Sequence, residues 1–200
     1  MKTLQEVIGD YQKFLDDIFF MIDDIDLDVH NMELDHICFR VASIEEYHNK
    51  KTELAEFGNL LTESIVNERN IATYKLLEPI EYKDRKIYLI ELPSPKENNN
   101  YSTGLEHVEF VTKDNLQKIV NRYPQFAFET FGINKRINPD ITLKLGSYCL
   151  RFHNQNLEDV IKGEKNQRLP NNNRTNQSSS RGKQNNRPAN KRQKWTPKRS

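Results

Sequence analysis

Two short stretches of this chain carry a histidine in the same setting. Leu34-Asp35-His36-Ile37-Cys38-Phe39 returns in the second half as Leu105-Glu106-His107-Val108-Glu109-Phe110. The shared pattern is Leu, acid, His, β-branched, variable, Phe. Successive side chains of a strand point to opposite faces. His36, Cys38 and Arg40 therefore share one face, and Ile37, Phe39 and Val41 the other. The same alternation groups His107 with Glu109, and it brings Glu91, Arg151 and His153 of later strands to the matching face. Two imidazoles and a carboxylate suit a divalent metal, and three protein ligands leave positions for water and substrate. His36, His107 and Glu91 are the expected ligands, for zinc, nickel, manganese or ferrous iron. Glu109 is expected to be a fourth ligand or the catalytic general base, moving a proton beside the metal.

The same residues admit a metal-free reading. Buried charges are usually paired, so Glu91 could neutralise Arg40 or Arg151 in a structural polar cluster. Both arginines could equally clamp an anionic substrate through bidentate hydrogen bonds. Arg40, Arg151 and His153 are thus the expected substrate-binding residues, with His153, at a strand end, assigned to the surface or the substrate side. Cys38 faces the same way, but buried free cysteine mostly behaves as a small hydrophobe. The seven glycines form no nucleotide-binding fingerprint, and no serine or cysteine sits on a nucleophile elbow.

The elements that must position these groups follow from periodicity and caps. Thr3-Leu4-Gln5-Glu6 reads as a capping box, and the helical spacing of Leu4, Val7, Ile8, Tyr11, Phe14, Leu15, Ile18 and Ile22 predicts a helix over residues 4–24. The acidic stretch 23–33 is expected to be a loop or short helix. A strand over 36–41 leads into a helix capped by Ser43 and stopped by Gly58. Strands over 60–66, 72–77 and 86–92 complete β-α-β-β-β. The second copy predicts a strand over 105–111, an Asp114-capped helix to Tyr123, strands over 127–131, 141–145 and 148–153, and a short helix over 157–161. Pro93, Pro95 and Asn98–Asn100 mark the linker between copies.

The expected fold class is α+β: two paired β-α-β-β-β modules, 34–93 and 105–164, after an N-terminal helical segment, 1–33. Together they form a curved, incompletely closed mixed sheet. Its concave face is a cup and its convex face carries the helices.

Charge divides the chain differently. Residues 165–200 hold 11 of the 30 Lys and Arg and none of the 29 Asp and Glu, which leaves the body with a net charge of −10. This tail, rich in Asn, Gln and Ser, is expected to be disordered. It could contact RNA, another polyanion or an anionic surface, or fold back on its own acidic body. No apolar run reaches the ~18 residues of a membrane span, and no signal peptide is evident, so the expectation is a soluble cytoplasmic protein, monomer or dimer. Cys38 and Cys149 form no disulfide framework or zinc motif.

The duplicated module with a histidine opening each copy resembles the vicinal oxygen chelate superfamily. More narrowly, the chain resembles the YecM family over residues 1–164. That likeness rests on Asp35-His36-Ile37 with Arg40, Asn67-Glu68-Arg69, Tyr74-Lys75-Leu76, Glu78-Pro79, Glu91-Leu92-Pro93, Glu106-His107-Val108-Glu109, Phe152-His153 and Leu157-Glu158-Asp159-Val160-Ile161. The resemblance implies ligands on the first and last strand of each module, here His36, Glu91, His107 and position 151. Arg151 stands where a glutamate would complete that set, and a cation there cannot ligate. This implies either a three-ligand site, completed by Glu109, or a metal-free cup. The expected activity is that of a metal-dependent isomerase, epimerase, lyase or oxygenase acting on a small oxygen-rich anion. The alternative is a non-catalytic protein that binds such a molecule.

Overall fold

The computed structural model describes residues 2–97 and 102–168; Asn98–Asn100 of the expected linker and the expected tail beyond 168 lie outside the described residues. Element order is α1 (Leu4–Ile8), α2 (Tyr11–Asp24), β1 (Glu33–Arg40), α3 (Ile44–Leu54), β2 (Gly58–Val66), β3 (Arg69–Tyr82), β4 (Arg85–Pro93), β5 (Gly104–Val111), α4 (Leu116–Arg122), β6 (Asp140–Leu145), β7 (Tyr148–His153) and α5 (Leu157–Arg168). The seven strands form one open sheet in the order β2-β3-β4-β1-β5-β7-β6. It is mixed: β1 pairs parallel with β4 and antiparallel with β5, and β5 pairs parallel with β7. The first strands of the two modules thus lie side by side at the centre, each flanked by its own module's last strand, as the paired fold class requires.

One face of the sheet packs under the N-terminal helices. Ile8, Phe14, Leu15, Ile18 and Ile22 join Ile37, Phe39, Val108, Phe110, Leu150 and Phe152 in a single core. Burying such side chains contributes roughly 1.5–3 kcal/mol each relative to exposure. The opposite face carries the polar side chains. Helix α5 leaves β7 and meets that face. Asn156 donates to Glu33, the Leu157 amide donates to Asp35, Glu158 pairs with Lys75, and Lys165 donates to the Leu61 carbonyl. Among the described residues, no helix is long and apolar enough to cross a membrane.

Several predicted elements change in detail. The single helix over 4–24 is two. Gly9, at φ +85°, ends α1, and Asp10 accepts from the Lys13 amide to cap α2. Helix α3 ends at Leu54, before Gly58. Gly58 instead opens β2, where an added Cβ would lie 2.5 Å from the Lys75 carbonyl oxygen of the neighbouring strand. Residues 127–131 do not form a full strand and keep only a bridge between Glu129 and Thr142. The Phe126 and Phe128 amides turn to local carbonyls, Tyr123 and Phe126, and are lost to a ladder. Asn115, not Asp114, caps α4; Asp114 pairs with Arg122 instead. Helix α5 continues past the expected Ile161 to Arg168.

Candidate metal centre

The β1–β5 pair at the middle of the sheet carries the site. Leu34 lies opposite Phe110 and His36 opposite Glu109, so Asp35 is an extra residue on β1. Further along, Cys38 lies opposite His107 and Phe39 opposite Leu105, so Glu106 is an extra residue on β5. Such a bulge inserts one residue and breaks strict alternation. Leu34 and Leu105 can then pack with the core, while Asp35 and Glu106 join their histidines on the polar face. Each copy contributes one bulge, at the acid of the repeated motif.

Four expected residues meet there. His36, Glu91, His107 and Glu109 each offer a donor atom, and these atoms lie within 4.8 Å of one another. His36 Nε2 is 3.7 Å from Glu91 Oε2 and 3.4 Å from Glu109 Oε1, and His107 Nε2 is 3.1 Å from the same Glu109 oxygen. Donors bonded to one ion at about 2.1 Å, at angles near 90–110°, stand roughly 3.0–3.4 Å apart. The spacing is thus close to that of a coordination shell. His36 Nε2 is buried and has no hydrogen-bond partner. A buried polar atom left this way is costly unless something else satisfies it, and a cation held among these donors would do so.

The arginines are committed to acids around the cluster. Arg151 Nη1 donates to Glu109 Oε1 at 3.1 Å, across the β5–β7 register that sets these residues side by side. Arg40 Nη1 donates to Glu106 Oε1 at 3.0 Å. His153 is fully buried and not at the surface. Its Nδ1 contacts Asn138 Oδ1 at 3.1 Å, and its Nε2 lies 3.6 Å from Glu109 Oε2 and 3.8 Å from Asp35 Oδ2. Cys38 is buried on the same face, its Sγ 3.9 Å from Glu106 Oε2. The side chains of Glu91 and Arg151 are 15% and 39% exposed against 1% for His36, so solvent reaches the cluster from their side.

Electrostatics follow from this crowding. Burial opposes charge on His36, but Glu109, Asp35 and Glu91 outweigh it and hold the pKa well above the ordinary imidazole value. Burial also opposes charge on His107, where Cys38, Glu106 and Glu109 raise it. Against its own burial, Glu109 is held well below the usual carboxylate range by His36, His107 and Arg151. Contact with His107 is the main cause that lowers Glu106 to about 2, despite burial. Burial itself lowers His153.

Asp35 and Glu106 were missed as site residues by sequence reasoning. The signal was present, since an acid precedes the histidine in both copies, but strict alternation places it on the wrong face.

A pair of modules with donors converging from the first strand of each defines a paired-module α+β protein with its candidate site at the junction of the two copies. The family described as "YecM protein" matches residues 3–164, and the chain belongs to it. It is similar to Protein YecM of Escherichia coli, at 24% identity over 176 residues, covering 80% of this chain and 94% of the relative. An uncharacterized protein of Haemophilus influenzae is also 24% identical, over 191 residues, covering 84% of this chain and all of that one. The solved structure described as "Structural Genomics, Protein EC4020" matches with a TM-score of 0.65 and 22% identity, over 82% of this chain and 97% of its own.

Proposed function

We propose that the polar face of the sheet holds one divalent metal on His36, Glu91, His107 and Glu109, and that the protein acts through it on a small oxygen-rich anion. The observation that carries this reading is the convergence of four donor atoms from β1, β4 and β5 around the unpartnered Nε2 of His36. Glu109 Oε1, close to both imidazoles, takes the fourth position that Arg151 cannot fill. A bound metal would polarise the oxygens of a chelating substrate, which favours loss of a proton from the adjacent carbon. Isomerase, epimerase or lyase chemistry follows from that. With ferrous iron, the two-histidine, carboxylate-rich set also suits an oxygenase. Arg151, half exposed beside the donors, is placed to bind a substrate carboxylate. Arg40 stands further out, tied to Glu106.

The test is the metal content of untagged full-length protein, measured by elemental mass spectrometry beside a His36→Ala/His107→Ala variant. Near one equivalent in the first and none in the second is expected. No metal in either, after incubation with zinc, nickel, manganese and ferrous iron, sinks the proposal. Glu109→Gln then separates the two roles open to that residue. Loss of metal makes it a ligand, whereas retained metal with lost turnover makes it the general base.

The Arg151–Glu109 bond favours a second reading, because it already supplies a cation to the donor set. In that case the face is a metal-free, non-catalytic pocket for an organic anion. A stoichiometric organic ligand in metal-free protein is its expected signature.

A further inference from the structure

The acid of the repeated Leu-acid-His motif has no part in the donor set, yet both copies place it in the same way. Asp35 bulges from β1 and Glu106 from β5, at the two register shifts of the central strand pair. His36 Nδ1 donates to Asp35 Oδ2 at 2.8 Å, and His107 Nδ1 lies 3.6 Å from Glu106 Oε2. In each copy the ring nitrogen facing away from the donor cluster is turned to the preceding acid. The other, Nε2, is left for the cluster. An imidazole with its Nδ1 proton held by a carboxylate has a fixed tautomer and orientation and a more basic Nε2.

We infer that Asp35, and more weakly Glu106, are positioning residues that orient the two histidines toward a metal. This rests on the metal-site reading above. The two acids differ in grip. The Asp35 side chain is fully buried, and its Oδ2 also accepts from the Leu157 amide at the start of α5, so its own orientation is set from two sides. Glu106 is 23% exposed and shares its carboxylate with Arg40 at 3.0 Å. Asp35 therefore holds its histidine more tightly. It also joins α5 to the site, since one oxygen serves both the helix and His36.

The experiment compares full-length wild type with Asp35→Asn and Glu106→Gln. Zinc affinity is measured by competition with a chromophoric chelator, and the imidazole nitrogens are read by long-range proton–nitrogen NMR. Orienting partners of metal-bound histidines typically contribute 10–100-fold in affinity. Asp35→Asn is expected to weaken zinc binding by about that factor and Glu106→Gln by several-fold less. In metal-free wild type the His36 Nδ1 signal should be that of a protonated nitrogen, and it should shift in Asp35→Asn. If Asp35→Asn does not fold, Asp35→Glu, the acid native to the second copy, is expected to fold and retain part of the affinity. Wild type and variant binding zinc equally would overturn the inference, whatever the variant's thermal stability. Wild type that takes up no zinc overturns the metal-site reading and the positioning role with it. The two failures are told apart by whether the loss appears in wild type or only in comparison with the variants.

Discussion

The first module carries a long hairpin, β2 of nine residues against β3 of fourteen, while the second has only the Glu129–Thr142 bridge before β6. The centres differ far less. Strands β1 and β5 are eight residues each, both carry a bulge at an acid, and both turn one histidine into the same cluster. The outer strands meet fewer constraints, because among the described residues each has a full ladder along one edge only. The inner pair must satisfy a packed core on one side and converging polar atoms on the other. The two copies thus agree where both faces of the sheet are occupied and diverge toward its edges.

The largest stability effect that can break this comparison is in the core. Phe39 and Phe110 are the matching aromatics of the two repeats, and both are buried. Phe→Ala in a core costs about 3–5 kcal/mol. Phe110 stacks on Phe152 at 5.7 Å and meets Phe19 edge-on, whereas Phe39 is covered on one side by Lys50. Urea denaturation should therefore place Phe110→Ala at the upper end of that range and Phe39→Ala at the lower. The reverse order would mean that the first copy, not the second, anchors the core.

The next effect concerns pH. In metal-free protein the folded pKa values of His36 and His107 are raised. Their contribution to stability is fully present below the unfolded imidazole value near 6.5 and is lost as pH rises through the raised folded values. Glu109, whose folded pKa is depressed, acts oppositely. Its contribution is present above the unfolded carboxylate value near 4.3 and is lost as pH falls through the folded one. Metal needs both imidazoles deprotonated, so zinc affinity should climb with pH and binding should release protons. Calorimetry in two buffers of different ionisation enthalpy measures that release. A pH-independent affinity would show that the histidines are not ligands.

The smallest effect compares the helix starts. Ser43 accepts from the Glu46 amide and caps α3, while the matching Asp114 only pairs with the exposed Arg122 and leaves the cap to Asn115. Ser43→Ala should cost about 1 kcal/mol, and Asp114→Ala should fall within about 0.5 kcal/mol. Equal costs by thermal melting would restore Asp114 to the capping role that the repeat suggests.

Much of this was legible in the chain itself. The repeat marks two modules, and period-two alternation from His36 and His107 onward groups Cys38, Glu109 and the candidate ligand residues on one face. Capping residues located the starts of α1 and α3, because a cap is a contact within four neighbouring residues. Gly9-Asp10 is equally local, and it ends one helix and caps the next, although the apolar spacing runs unbroken across it. Other features arise only between segments distant in sequence. A bulge is a property of two strands in register, so no single strand shows that Asp35 and Glu106 turn to the polar face. The Arg151–Glu109 bond depends on the parallel alignment of β5 with β7, and the burial of His153 on the loop that brings Asn138 against it. The sequence by itself determined which residues could bind a metal and on which face of their strands most of them lie. The tertiary structure alone decided which of them come together in one cluster, because register and bulges are set by cross-strand packing and hydrogen bonding that no local window contains.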